Sequence, residues 1–129
     1  MRPMLRFRAQ GGHYAVPVED VRRVRTREGL SLLPQGREGV AGLVMHDDLA
    51  LPVLSVLGSD GDRLLVLEAD GRRFGLLVEE VSGVAEIDER RMGPPPEGQA
   101  GSLVTGVLDS DEDIALVIDA SELAREALS

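Results

Sequence analysis

Residues 65–84, LVLEADGRRFGLLVEEVSGV, repeat residues 5–24, LRFRAQGGHYAVPVEDVRRV, without a gap and at an offset of sixty positions. Leu5 falls on Leu65, Ala9 on Ala69, Gly11 on Gly71, Val18 on Val78, Glu19 on Glu79, Val21 on Val81 and Val24 on Val84. Five further pairs are conservative: Phe7 with Leu67, Tyr14 with Phe74, Ala15 with Gly75, Val16 with Leu76 and Asp20 with Glu80. A duplicated stretch of this length restricts the chain to folds built from two copies of one supersecondary unit. Each copy reads as a strand, a Gly-containing hairpin turn, a return strand, and an acidic pair that re-aims the chain into a third short strand.

The rest of the chain extends the repeat. Residues 4–10 alternate, with Leu5, Phe7 and Ala9 on one face and Arg6 and Arg8 on the other, and Gly11-Gly12 turns this strand back. Residues 40–45 and 49–56 form a hairpin across His46-Asp47-Asp48, and Pro52 within it favours an edge or a bulge. Gly58-Ser59-Asp60-Gly61 is linker-like and separates two modules, residues 4–57 and 62–119, inside a single domain of 129 residues. Leu64 to Leu67 is continuously apolar and is expected to be buried on both faces. Residues 103–108 and 114–118 make a last hairpin, and Ser121 opens a short closing helix over residues 121–128. The expected architecture is all-β. Two sheets of about five short strands are each too small to stand alone and pack together, with the seam between them as the place for a partner.

Composition agrees with that class and excludes others. At 43% hydrophobic the chain can bury a core, but with only Phe7, Tyr14 and Phe74 as aromatics that core must be built of Leu and Val. Cysteine is absent, which removes disulfides, thiol catalysis and thiolate metal sites. No apolar run approaches a membrane span and no signal peptide is visible, so a cytoplasmic location is expected. A net charge of -9 disfavours nucleic acid and anionic membrane as partners. The charge is uneven: residues 1–27 carry seven Arg against Glu19 and Asp20, and all fourteen basic residues are Arg. Arg6, Arg8, Arg22, Arg23 and Arg25 therefore either form a basic face for an acidic protein or pair with the chain's own surplus of carboxylates.

No catalytic constellation can be assembled from the sequence. His13 and His46 fall in expected turns, and no nucleophile elbow, phosphate loop or zinc-protease signature is present. Asp109, Asp111 and Asp113 have the spacing that opens a calcium loop, but Ile114 replaces the required Gly and Ala120 the bidentate Glu. Glu79 and Glu80 are adjacent, so in extended chain they point to opposite faces, as an outward bend rather than a carboxylate pair. No enzyme activity, metal or cofactor is expected.

With these residues laid out, the chain resembles the CheW-like domain of bacterial chemosensory adaptors. The segments that carry the likeness are FRAQGGHYAVPVEDVRRV, LLPQGREGVAGLV, LALPVLSVL, RFGLLVEEVSGV, MGPPP and GVLDSDEDIALVIDASEL, in that order. The resemblance implies two intertwined five-stranded SH3-like barrels and a non-catalytic scaffold. It implies two partners, the regulatory domain of a CheA-type histidine kinase on one barrel and the cytoplasmic tip of a chemoreceptor in the seam. Carried over by position, kinase binding falls on Val21, Arg23 and Val24, and receptor binding on Asp47, Leu77 and Val78. Three positions depart from the family pattern: Asp47 stands where Arg is usual, Arg23 where acids are frequent, and Ser55 where Asp is usual. Reversed charges at contacts imply either a dedicated, non-chemotaxis partner or lost binding. The rival class is a small-molecule-binding β-barrel, which a deep enclosed pocket would favour over a shallow groove.

Overall fold

In the computed structural model the chain is described over residues 1–33, 38–95, 103–109 and 113–128, with side chains described through Arg125. Its strands are β1 (Arg2–Ala9), β2 (Gly12–Pro17), β3 (Val21–Thr26), β4 (Ser31–Leu32), β5 (Val40–His46), β6 (Leu49–Leu54), β7 (Arg63–Ala69), β8 (Arg72–Val78), β9 (Glu80–Ile87), β10 (Met92–Gly93), β11 (Val104–Asp109) and β12 (Ile114–Ile118). A closing helix, α1 (Ala120–Leu128), follows. The strands form two six-stranded sheets, ordered β10-β11-β12-β2-β1-β9 and β3-β7-β8-β6-β5-β4. Each has six strands rather than the expected five because the two-residue β4 and β10 add an edge. Architecturally the protein is two small SH3-like barrels joined face to face.

The sheets do not follow the repeats. The hairpin β1–β2 of the first copy lies in the sheet that holds β9 to β12, and the hairpin β7–β8 of the second copy lies in the sheet that holds β3 to β6. The exchange is carried by four cross-half pairings: β1 with β9, β3 with β7, and the parallel pairs β2 with β12 and β6 with β8. The chain changes sheets at the two acidic pairs. Glu19 and Asp20 lie in a 3-10 turn, Val18–Asp20, that feeds β3. Glu79 links β8 to β9, where its N–H donates to Arg8 O at 2.8 Å and its Oε1 accepts from Gly11 N at 3.1 Å.

Hairpin geometry follows from turn chemistry. The loops Gln10-Gly11, Asp47-Asp48 and Asp70-Gly71 all have two positive φ angles, from 50° to 76°, the twist that suits a two-residue hairpin. The first turn is thus Gln10-Gly11 rather than Gly11-Gly12, and His13 lies in β2 rather than in a turn. Pro52 sits in β6, an interior strand rather than an edge. Its pairing with β8 begins only at Val53, so the missing N–H falls ahead of the two-sided part of the strand. The cap of α1 is Asp119 rather than Ser121: Asp119 Oδ1 accepts from Ser121 N at 2.9 Å.

Strand alternation sorts side chains into three cores. Val44, Leu51, Val53, Leu64, Val66 and Leu77 fill one barrel, and Met4, Ala15, Leu108, Ala115 and Val117 fill the other. The largest core lies between the barrels and takes Leu5, Phe7, Val16, Leu65, Leu67, Phe74, Leu76 and Val78, closed by Leu123 and Ala124 of α1. Leu64 to Leu67 are all fully buried, as the unbroken apolar run requires, because β7 has a core on each face.

Gly61 packs directly on the end of β8, since a Cβ there would lie 2.1 Å from the backbone oxygen of Val78. Gly61→Ala is expected to cost about 2 kcal/mol in urea unfolding through overpacking against rigid backbone. Gly93→Ala, with open space around it, is expected to stay within about 0.5 kcal/mol of the wild type.

Candidate interaction site

Two surface clefts border the residues that the sequence points to. The first, about 370 Å³, lies at the seam and is lined by Gln10, Ser55, Leu57–Gly61, Leu77, Val78 and Glu79. It is a half-open cleft rather than an enclosed cavity. Its wall is the Gly58-to-Gly61 stretch, which is held in place rather than left loose: Arg27 Nη1 donates to Ser59 O at 3.0 Å and Gly61 O at 3.2 Å. Leu77 and Val78 form its floor, with side chains 0% and 1% exposed in the barrel core and the shared core respectively. The surface the cleft offers for contact is its rim, Gln10, Ser59 and Glu79, which are exposed. That rim was not legible as a site, since Gly58-Ser59-Asp60-Gly61 carries only the pattern of a linker.

The second cleft, about 250 Å³, lies between β3 and the β5–β6 hairpin and is lined by Arg23, Arg25, Met45, His46 and Asp47. It brings together Arg23 and Asp47, which are twenty-four positions apart in sequence. Strand β3 is an edge of its sheet, with Val21 half-buried against the shared core and Arg23 and Val24 exposed. Arg25 builds the cleft by donating to Met45 O at 3.1 Å, Glu28 O at 2.8 Å and Thr26 O at 3.3 Å, with His46 Nδ1 at 3.4 Å. One guanidinium thus ties β3, the loop after it and the hairpin together, a task that needs a planar fork of donors.

Most of the remaining arginines pair with the chain's own acids. Arg2 meets Glu19, Arg6 meets Asp113, Arg8 meets Glu80 and both Arg22 and Arg73 meet Glu68. The internal-pairing reading therefore holds for Arg6, Arg8 and Arg22. Arg23 is different: its side chain makes no hydrogen bond or ion pair among the described residues. At Glu68 the hydrogen bond from Arg73, reinforced by Arg22, holds the carboxyl below its ordinary range and raises Arg73 in turn. Asp20, at the sheet crossover, is pushed up by burial and by the neighbouring Glu19.

The histidines do not come together. His13 lies in β2 with Nδ1 3.8 Å from Asp113, while His46 ends β5 in the other sheet with Nε2 3.6 Å from Asp47. Among the described residues no three His, Cys, Asp or Glu side chains form a group able to hold a metal ion. Asp113 of the calcium-like triplet is engaged by Arg6, Asp109 ends β11, and Asp111 lies outside the described residues. No helix among the described residues is long and apolar enough to cross a membrane.

The family model of the CheW-like domain matches residues 3–128. The chain belongs to the CheW-like domain family. Members of the CheW family are non-catalytic scaffold proteins. The fold is similar to that of the scaffolding protein TtCheW from Thermoanaerobacter tengcongensis, with a TM-score of 0.81 and 23% identity, over 92% of this chain and 88% of that one. A search of curated proteins returns no match. Within this CheW-like chain, Val21, Arg23 and Val24 lie along one edge strand. Asp47 is beside them rather than beside Leu77 and Val78.

The depressed Glu68 carboxyl contributes stability that is present above its unfolded-state value and lost as pH falls through the lower folded value. Glu68→Gln is thus expected to lower stability at neutral pH and to show a smaller deficit at about pH 3, in urea melts at both pH values. An equal deficit at both would show that the Arg22–Glu68–Arg73 group acts through packing instead.

Proposed function

We propose that this CheW-like chain is a non-catalytic adaptor that couples a CheA-type histidine kinase to a chemoreceptor or related sensory protein in the cytoplasm. The single observation that carries the proposal is membership of the CheW-like family over nearly the whole chain. Surface chemistry supports it. The edge strand β3 presents Arg23, with no internal partner among the described residues, and Val24, 40% exposed. An apolar residue beside an unpaired guanidinium on an exposed edge is suited to a protein contact whose centre is apolar and whose rim sets partner choice.

In this reading Val21, Arg23 and Val24 serve the kinase regulatory domain, with Val21 supporting the strand from beneath. Asp47 and the seam cleft, floored by Leu77 and Val78, serve the receptor tip. The open, mixed polar and apolar character of that cleft favours a protein segment over an enclosed small molecule. The opposite signs of Arg23 and Asp47 from the usual family pattern favour a dedicated partner with complementary charges over a generic one.

Biolayer interferometry of the folded protein against the kinase regulatory domains and receptor-tip fragments encoded in the same genome is expected to give saturable binding to at least one of each. Absence of binding to all of them rejects the adaptor role.

A further inference from the structure

The cleft between β3 and the β5–β6 hairpin has an arrangement of charge that neither strand reveals alone. Its lining contains two arginines and one carboxylate on a chain of net charge -9. Four of the five N–H groups of Arg25 are taken up by three backbone carbonyls and His46. His46 is 10% exposed and held between Arg25 and Asp47, so it has little surface left for a partner. That leaves Arg23 and Asp47 as the groups facing outward. Arg23 has no partner among the described residues, although acids outnumber arginines by twenty-three to fourteen. Asp47 is fixed at φ 50° in the tight hairpin turn, and its side chain is 70% exposed. Beside them lies one apolar surface, Met45 at 61% exposed.

We infer that this cleft is one docking site, in which a single protein partner meets Arg23 and Asp47 together, placing a carboxylate against β3, a cation against the hairpin tip and an apolar side chain on Met45. The inference rests on the adaptor reading and deepens it, because the two charges otherwise belong to separate partners. Three physical points carry it. Arg23 breaks no ion pair with any described residue when it binds, so a partner carboxylate gains the pairing without a competing loss among them. The spacing of the two charges is set in advance, because the Arg25 guanidinium fastens the hairpin to β3, and a preformed site loses less freedom on binding. The order of signs is also directional. A segment bearing the opposite order would bring like charges together at both ends, which excludes it more strongly than it weakens a correct partner.

The test titrates wild type, Arg23→Glu and Asp47→Asn against each kinase regulatory domain and each receptor-tip fragment encoded in the same genome. Asn keeps the positive φ of the turn, so the second variant removes charge without straining the hairpin. Both variants are expected to weaken binding of the same probe, Arg23→Glu by about tenfold or more and Asp47→Asn by about fivefold. Val84→Ala, on the edge strand of the other sheet, is expected to leave it unchanged. Raising salt from about 50 to about 500 mM is expected to weaken the wild type more than the Arg23→Ala/Asp47→Asn double variant. If Arg23→Glu affects only one probe and Asp47→Asn only another, the cleft is two sites and the inference falls while the adaptor role stands. It falls in the same way if both variants bind like the wild type. If the wild type binds no probe, the adaptor role and the shared site fall together.

Discussion

Everything in this protein depends on the apolar layer between its two barrels. Each barrel encloses only five or six well-buried aliphatic side chains of its own. The layer between them gathers Leu5, Phe7, Val16, Leu65, Leu67, Phe74, Leu76 and Val78, with α1 laid over it. At about 1.5–3 kcal/mol for each fully buried large side chain, that shared layer outweighs either barrel interior. Because each sheet is completed by a hairpin from the other half of the chain, neither half retains a whole barrel if the layer is pulled apart.

The same exchange makes the interaction surfaces. Crossing from one sheet to the other at the acidic pairs leaves β3 and β9 as outer edges, each paired on one side only. On β3 this frees Arg23 and Val24 toward solvent, while Val21 remains anchored in the shared layer. Non-adjacent strands are then joined by a side chain rather than by a ladder, with Arg25 bridging β3 to the carbonyl of Met45. Rigidity in the clefts therefore comes from guanidinium contacts to backbone, at Arg25 and again at Arg27, on a fold whose histidines and carboxylates are spread over both sheets rather than gathered.

The internal repeat was readable because selection on the shared layer acts on both copies alike. Leu5 and Leu65, Phe7 and Leu67, Tyr14 and Phe74, Val16 and Leu76, Val18 and Val78, and Val21 and Val81 all face it. Hairpin exchange was implied only by the family resemblance to intertwined barrels, since a period of two assigns faces to a strand but not the identity of its neighbour. For the same reason the sequence could not bring Arg23 to Asp47, whose strands are separated in the sheet order and meet only where the barrel curls. Leu77 and Val78 line the seam cleft only as its floor, because both faces of β8 are covered. Pro52 and Ser121 show the smaller losses: ladder length decided the first and a competing Asp119 side chain the second.

The interleaving itself is tested most directly by dividing the chain between the repeats. Residues 1–60 and 61–129, produced separately, are each expected to lack a cooperative unfolding transition by circular dichroism. Mixed in equal amounts, they are expected to recover the β-sheet spectrum and a single cooperative melt as a complex. A cooperative, folded barrel formed by either fragment alone would contradict the exchange of hairpins on which the whole account stands.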